Sequence, residues 1–189
     1  MQNTEKKKIG IKEICLAAMM TAVITVCSWL SLPVMTVPVT LQTFAIFLTL
    51  LLCGGKNGTL SILVYILLGL AGVPVFSGFR GGISALFGLT GGYIIGFLLA
   101  GVIFLASEKL ISQNLTVKVV SLMVGLAVCY TFGTLWFIRV YNMSGETISF
   151  RSALSLCVFP FLLPDMIKLV LAIIVFRLIE PTVRKISKT

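Results

Sequence analysis

Apolar residues run along this chain in long blocks that are separated by short polar segments or by glycine and proline. The first block, 14–55, contains no charged residue and is too long for one membrane-spanning helix, which needs about 20 residues. Pro33 and Pro38 divide it, because proline lacks the amide proton of a helix and clashes with the preceding turn. The pattern predicts a loop over 33–41, a turn at 54–58 and six helices: 11–32, 42–53, 59–71, 91–107, 118–139 and 153–179.

The composition places these helices in a lipid bilayer. Of 189 residues, 58% are hydrophobic and only 11% are charged, whereas soluble domains carry about 25% charged residues. We therefore predict an all-α integral membrane bundle, with residues 1–189 forming a single transmembrane domain. Little chain remains for a soluble enzyme, an ATPase or a nucleic-acid-binding domain.

The distribution of lysine and arginine predicts the orientation, since these residues accumulate on the cytoplasmic side. With six helices, one side holds both termini and carries Lys6, Lys7, Lys8, Lys12, Lys56, Lys109, Lys118, Arg177, Arg184, Lys185 and Lys188. The other side carries Arg80, Arg139 and Arg151. Both termini are therefore predicted to be cytoplasmic. The basic ends explain the net charge of +9 and suit anionic lipid, so no nucleic-acid partner is needed.

The residue types that enzymes and metal sites use are scarce in this sequence. It contains no histidine, and its five cysteines lie in or beside apolar spans without a metal-binding spacing: Cys15, Cys27, Cys53, Cys129 and Cys157. Gly55 and Lys56 do not belong to a nucleotide-binding P-loop, because the required earlier glycine and the following Ser or Thr are missing. We expect no catalytic residue, no metal and no cofactor.

Glycine is concentrated in the stretch 69–96, which holds nine of the 17 glycines: 69, 72, 78, 81, 82, 88, 91, 92 and 96. One interpretation is close helix packing, since Gly88, Gly92 and Gly96 recur every four residues. The other is a loop over 72–82 that covers a ligand, because glycine permits close backbone approach. Thr90 is predicted to cap the next helix, which would leave the amides of 91–93 free to attract an anion such as a carboxylate. Arg80 lies in the same loop.

Two charges fall inside the last predicted helix. Asp165 and Lys168 are three residues apart and therefore share a helix face, and charges within a span usually mark a functional site. Pro160 and Pro164 indicate an irregular backbone at 160–164, which is tolerated beside a cavity. An acceptor next to a donor suits a ligand that offers both N–H and C=O. The alternative is that the pair neutralises itself and holds the helix in the bundle.

Several of these segments together resemble the BioY family, the biotin-specific substrate-binding (S) components of energy-coupling-factor (ECF) transporters. The resemblance covers nearly the whole chain, and its motifs occur in the order of the family: 37–43, 72–76, 80–82, 88–93, 133–136 and 160–168. Phe79 stands where the family commonly has glycine, and Leu89 where it commonly has proline. Neither change removes a polar group, so they bear on loop shape rather than on specificity.

The resemblance implies a high-affinity biotin-binding subunit, in a prokaryotic cell membrane, that a separate T subunit and two ATP-binding subunits drive. The substrate-binding residues that it implies are Asp165, Lys168, Tyr93, Arg80, Gly81, Gly82, Gly91, Gly92, Gln42, Thr43 and Trp136. It also implies that Ala18 and Ala22 contact the T subunit, since two small residues one turn apart let another helix approach. Packing within the bundle is the alternative for this pair.

Other functions remain open from the sequence. An S component or a free-standing carrier for another small vitamin would show a similar pattern. An intramembrane enzyme should show a nucleophile with a base or a set of metal ligands, and the sequence offers neither. A purely structural subunit would have no need of Asp165 and Lys168 within a span.

Overall fold

A computed structural model describes residues 10–32, 37–145 and 147–186, with side chains described as far as Pro181. Within these ranges the chain forms a helical bundle with one two-stranded sheet. Five helical segments are long and apolar enough to cross a membrane, the last of them made of α6 and α7 together. The elements are α1 (Ile11–Trp29), β1 (Ser31–Leu32), β2 (Val39–Thr40), α2 (Gln42–Leu70), α3 (Ile83–Phe87), α4 (Gly91–Leu110), α5 (Leu115–Met143), α6 (Phe150–Cys157) and α7 (Phe159–Ile186).

The helical segment α2 consists of two limbs, residues 42–53 and 55–70, which meet at Gly54. Only this residue leaves helical geometry, with φ 71° and ψ 173°, so the predicted turn over 54–58 is wrong in length although its position is right. A Cβ placed on Gly58 would lie 3.1 Å from the Cα of Leu50, and the Gln42 side chain reaches the Tyr65 hydroxyl. The two limbs are therefore antiparallel neighbours.

A carboxylate stabilises this reversal. The amide of Gly55 donates to Glu108 Oε2 at the end of α4, and Glu108 pairs with Lys118 at the start of α5 over 3.3 Å. Gly55 also lies so close to the backbone of Leu105 that a side chain would clash. Glycine is thus required at Gly54 for its conformation and at Gly55 for its small size.

Other helix ends differ from the predicted ones. α1 ends at Trp29 rather than at 32, because residues 31–32 form a strand. This strand pairs antiparallel with residues 39–40, which lie in the predicted loop 33–41. α4 ends at Leu110 rather than at 107, and α5 covers Leu115–Met143 rather than 118–139. The short helix α3 and the two strands were not predicted.

The last predicted helix is divided at Val158 (φ −123°, ψ −58°), whereas 160–164 are helical. The expected irregularity at 160–164 is therefore wrong in place. Pro160 has no N–H for the carbonyl of Leu156, and its ring would clash with that carbonyl in a continuous helix. The break consequently falls just before Pro160, and Pro164 lies within α7.

The two ends of the bundle are chemically different. One end brings together the start of α1, the Gly54 reversal, the end of α4 and the start of α5, with Lys56 lying 3.9 Å from Glu13. The charge pattern grouped Lys12, Lys56, Lys109 and Lys118 on this side. The other end carries the β1–β2 hairpin, α3 and the loop between α2 and α4. The terminal residues Lys6, Lys7, Lys8 and Lys188 and the side chains of Arg184 and Lys185 lie outside the described part of the chain.

Helix α4 packs tightly against α5 through glycine. A side chain on Gly92 would clash with Trp136, one on Gly96 with Cys129, and one on Gly133 with the Tyr93 ring. These contacts support the packing interpretation of the glycines on α4. Because Gly133 admits the Tyr93 ring, the packing also positions a side chain of the cavity described below.

Candidate functional site

A cavity opens between the helices at the end that carries the hairpin and α3. The space between its walls is about 770 Å³, a figure that includes the open space at its mouth. Its wall is largely apolar with a few polar groups, from Val37, Pro38, Thr40, Gln42, Thr43, Phe76, Ser77, Arg80, Ala85, Thr90, Tyr93, Ile94, Phe97, Leu126, Cys129, Tyr130, Cys157, Phe161, Asp165 and Lys168. Six of the predicted binding residues are among them: Gln42, Thr43, Arg80, Tyr93, Asp165 and Lys168.

An ion pair forms the most polar part of this wall. Lys168 Nζ lies 2.7 Å from Asp165 Oδ1, and these residues are only 6% and 3% exposed. Phe161, Asp165 and Lys168 follow the spacing i, i+4, i+7, which aligns them on one face of α7. Removing two charges from water is unfavourable, and this pair is nevertheless retained at the cavity surface. The sequence prediction that both residues share a face is confirmed.

Tyr130 of α5 completes this group, and the sequence analysis missed it. Its hydroxyl donates to Asp165 Oδ2, so each carboxylate oxygen has a donor from the protein. A carboxylate offers about four acceptor positions, which leaves acceptor capacity for a ligand. The available signal was a tyrosine within an apolar span, but nothing local links it to a residue 35 positions later.

The start of α2 supplies a second polar group. Gln42 and Thr43 are 5% and 7% exposed. Gln42 Nε2 donates to the Tyr65 hydroxyl over 3.1 Å, and the Gln42 backbone N–H donates to Thr40 Oγ1 over 3.2 Å. These bonds join the β1–β2 hairpin to both limbs of α2. The bond to Tyr65 holds the Gln42 side chain in one orientation at the cavity.

Tyr93 lies on the α4 side of the cavity. Its hydroxyl is 3.1 Å from Thr134 Oγ1 on α5, and Cys129 Sγ donates to its backbone carbonyl over 3.5 Å. Cys129 and Cys157 both line the cavity and are buried. This region combines weakly polar groups with apolar surface, which suits an uncharged part of a ligand.

The covering loop, residues 72–82, lies at the mouth of the cavity. Phe76, Ser77 and Arg80 contribute to the wall. Arg80 Nε donates to the Ser77 carbonyl over 3.1 Å in an exposed position. A fixed positive charge at the mouth is suited to a ligand with a negatively charged end.

The other predicted binding residues lie outside the cavity wall and shape the elements around it. A side chain on Gly81 would clash with the Val73 carbonyl, and one on Gly91 with the Leu86 carbonyl. Gly82 has φ 85°. Trp136 packs on Gly92 and donates from Nε1 to the Gly88 carbonyl over 3.0 Å.

The predicted anion site at the start of α4 is contradicted at two of its three amides. Thr90 occupies the cap position, but its side chain makes no capping hydrogen bond. The amide of Gly91 donates to Gly88 and that of Tyr93 to Thr90, so these two amides are not free for a carboxylate. Thr90 instead contributes to the cavity wall.

Ala18 and Ala22 lie on the outer side of α1. Both are exposed, while Ala17, Thr21 and Ile24 face the bundle and are buried. The two alanines therefore do not serve the packing of α1 against α2. This placement leaves them available to another helix.

Comparison with known proteins agrees with these features. The BioY family profile matches residues 1–185. The biotin transporter BioY of Thermotoga maritima is 39% identical over 166 residues, which cover 87% of this chain and 94% of that protein. The probable biotin transporter BioY of Pyrococcus horikoshii is 39% identical over 165 residues, 87% of this chain and 93% of that protein.

The fold is likewise similar to a solved transporter subunit. A 2.1 Å crystal structure of the S-component for biotin from an ECF-type ABC transporter superposes with a TM-score of 0.77 at 28% identity, covering 96% of this chain and 95% of that one. These relatives are multi-pass membrane transporter proteins and not enzymes. Since the family profile, the similarity to these relatives and the similarity of fold all extend over most of the chain, this protein belongs to the BioY family.

Proposed function

We propose that this chain is the biotin-binding S component of an ECF importer in a prokaryotic cell membrane, driven by a separate T subunit and two ATP-binding subunits. The observation that carries the proposal is the buried Asp165–Lys168 pair on the wall of the cavity. The biotin transporters and the biotin S-component among its relatives support the choice of ligand.

The ion pair matches the ureido ring of biotin. That ring presents two N–H donors and one carbonyl acceptor, so Asp165 accepts from an N–H while Lys168 donates to the carbonyl. Tyr130 holds the carboxylate in place through its own hydrogen bond. Hydrogen bonds to charged groups contribute about 1.5–3 kcal/mol each, and they are most effective where water is excluded.

The rest of the cavity fits the remaining parts of biotin. The apolar side chains of Phe76, Ile94 and Phe161 suit the sulfur-containing ring and the aliphatic chain. Arg80 is the cation at the mouth and is our choice of partner for the biotin carboxylate. Gln42, Thr43 and Tyr93 are proposed to orient the bicyclic ring from the other walls. Gly81, Gly82, Gly91, Gly92 and Trp136 would act through the shape of the covering loop and the start of α4.

Equilibrium binding of labelled biotin to the purified chain tests this function. We expect saturable binding that desthiobiotin displaces, since it keeps the ureido ring. Biotin methyl ester should bind about tenfold more weakly if Arg80 pairs with the carboxylate. Saturable binding of a different labelled vitamin, together with no binding of biotin, would support the alternative of an S component or carrier for that vitamin.

We further propose six spans with both termini in the cytoplasm. The limbs of α2 are antiparallel, and at 1.5 Å per residue they extend only about 18 Å and 24 Å. Each is thus shorter than the hydrocarbon core of about 30 Å, so they would need neighbouring helices around them. Lys12, Lys56, Lys109 and Lys118 at one end support the orientation through the excess of cytoplasmic lysine.

A single cysteine at Ser77 tests this orientation. In a cysteine-free background, the Ser77→Cys variant should react with an impermeant thiol reagent in intact cells, because the covering loop would face outward. Biotin should slow the reaction, since Ser77 lines the cavity. Labelling that requires cell lysis, in a protein that reacts fully once purified, would indicate the opposite orientation.

A further inference from the structure

The covering loop is attached to the bundle differently at its base and at its tip. At the base, the Gly82 amide donates to the Gly69 carbonyl over 2.7 Å. The Phe76 ring lies directly on Gly69 and meets Tyr65 edge-on, with ring centres 5.5 Å apart. Phe76 is only 3% exposed. The base is therefore part of the core.

The tip is a tight turn over 77–79. It is closed by a pair of backbone hydrogen bonds between Phe76 and Arg80, of 2.9 Å and 3.3 Å. Within the turn, Phe79 has φ 56°, a conformation that is unfavourable for a residue with a bulky side chain. Its side chain is also 65% exposed. A residue keeps such an unfavourable backbone conformation only where neighbouring groups hold it in place.

The last residues of α1 contact the covering loop and hold Phe79 in place. The Trp29 ring stacks on the Phe79 ring with centres 4.9 Å apart and planes 28° apart. Trp29 Nε1 donates to the Pro74 carbonyl over 2.8 Å, and the Ser28 hydroxyl donates to the Val75 carbonyl. Helix α1 thus contacts the covering loop both at its tip and near its base.

We propose that Trp29 and Phe79 form a latch that keeps the covering loop closed over the cavity. They are positioning residues: Ser77 within the turn and Arg80 directly after it line the cavity and move with the tip. Opening the latch breaks the exposed stack and lets Phe79 leave its unfavourable conformation, while the buried base stays in place. The inference rests on the proposed function only in that it names biotin as the molecule that enters and leaves the cavity.

A simpler alternative is that Trp29 and Phe79 are interfacial aromatics, which collect at the surface of membranes. In that case each ring would contribute through its own contact with lipid. The contact between the two rings would then have no effect on the rate at which a molecule enters the cavity. Accessibility of the cavity separates the two interpretations without any ligand.

Cys157 provides that measurement, because it lines the cavity and is 1% exposed. In a variant that keeps Cys157 as its only cysteine, a small methanethiosulfonate reagent should react about twofold to tenfold faster after Trp29→Ala or Phe79→Ala, the change expected for the loss of one aromatic pair. Trp29→Phe, which keeps a stacking ring, should change the rate less. Phe150→Ala, which removes an exposed aromatic ring elsewhere, should leave it unchanged.

Biotin kinetics give a second readout. The association and dissociation rates should both rise in Trp29→Ala and in Phe79→Ala, because a latch slows the passage of biotin in both directions, and the double variant should resemble either single one. Unchanged rates, or independent effects that multiply in the double variant, would overturn the latch. If the parent chain binds no biotin, the proposed function fails, and the Cys157 labelling rates decide the latch separately.

Discussion

Replacing Asp165 by asparagine should weaken biotin binding about tenfold to a hundredfold while the protein remains folded. Asparagine keeps the size of the side chain but turns a charged acceptor into a neutral one, so the ureido N–H loses a bond of about 1.5–3 kcal/mol. Lys168 would also lose its counter-charge at a site where it is 6% exposed, and such a loss is strongly unfavourable. Equilibrium binding to the purified variant measures the change.

A second ion pair in the same protein provides the control. Glu108 and Lys118 are also largely buried, at 11% and 15% side-chain exposure, but they lie at the opposite end of the bundle. Glu108→Gln should lower the unfolding temperature without a comparable loss of biotin affinity. Unchanged affinity in Asp165→Asn, or an equal loss in both variants, would contradict the role that we assign to Asp165.

Introducing tryptophan at Ala18 should nearly abolish ATP-driven biotin uptake and leave biotin binding intact. Ala18 lies on the exposed face of α1, and the cavity is lined by other elements. A bulky ring there would hold an approaching helix of the T subunit away, since close approach depends on small residues. Uptake in cells that contain the T subunit and both ATP-binding subunits, together with binding to the purified variant, measures the two effects.

Val102→Trp is the matched control for steric bulk. Val102 lies on α4 and is 50% exposed, so the substitution adds a comparable ring to another outer face. Uptake should persist in this variant, and Ala22→Trp should behave like Ala18→Trp. If Ala18→Trp also abolished binding, Ala18 would belong to the packing of the bundle rather than to a docking surface.

Much of this protein follows from local properties of the chain. The apolar blocks identify the membrane helices, because the bilayer requires about 20 apolar residues for each span. Helical spacing places Asp165 and Lys168 on one face, and the glycines at 54–58 mark the position of a reversal. Buried charges and densely spaced glycines also identified the end of the molecule where the cavity opens.

The extent of each element depended on contacts between distant residues. The turn at 54–58 shortens to Gly54 because Glu108, far away in sequence, accepts the freed amide of Gly55. α1 ends early because residues 31–32 find strand partners at 39–40. The helix break falls at Val158 through the clash that Pro160 would make. Propensity alone does not reveal such partners.

The sequence likewise did not show which of the predicted binding residues line the cavity and which pack around it. The sequence by itself determined a membrane bundle with two opposite charges on one face of its last helix, because hydropathy and helical period are properties of successive residues. Only the tertiary structure brought Tyr130 to Asp165, set Gly81, Gly91 and Gly92 against neighbouring groups outside the cavity wall, and stacked Trp29 on Phe79. These contacts join residues far apart in the chain, and they arise because close packing leaves each side chain only the neighbours that the assembled helices provide.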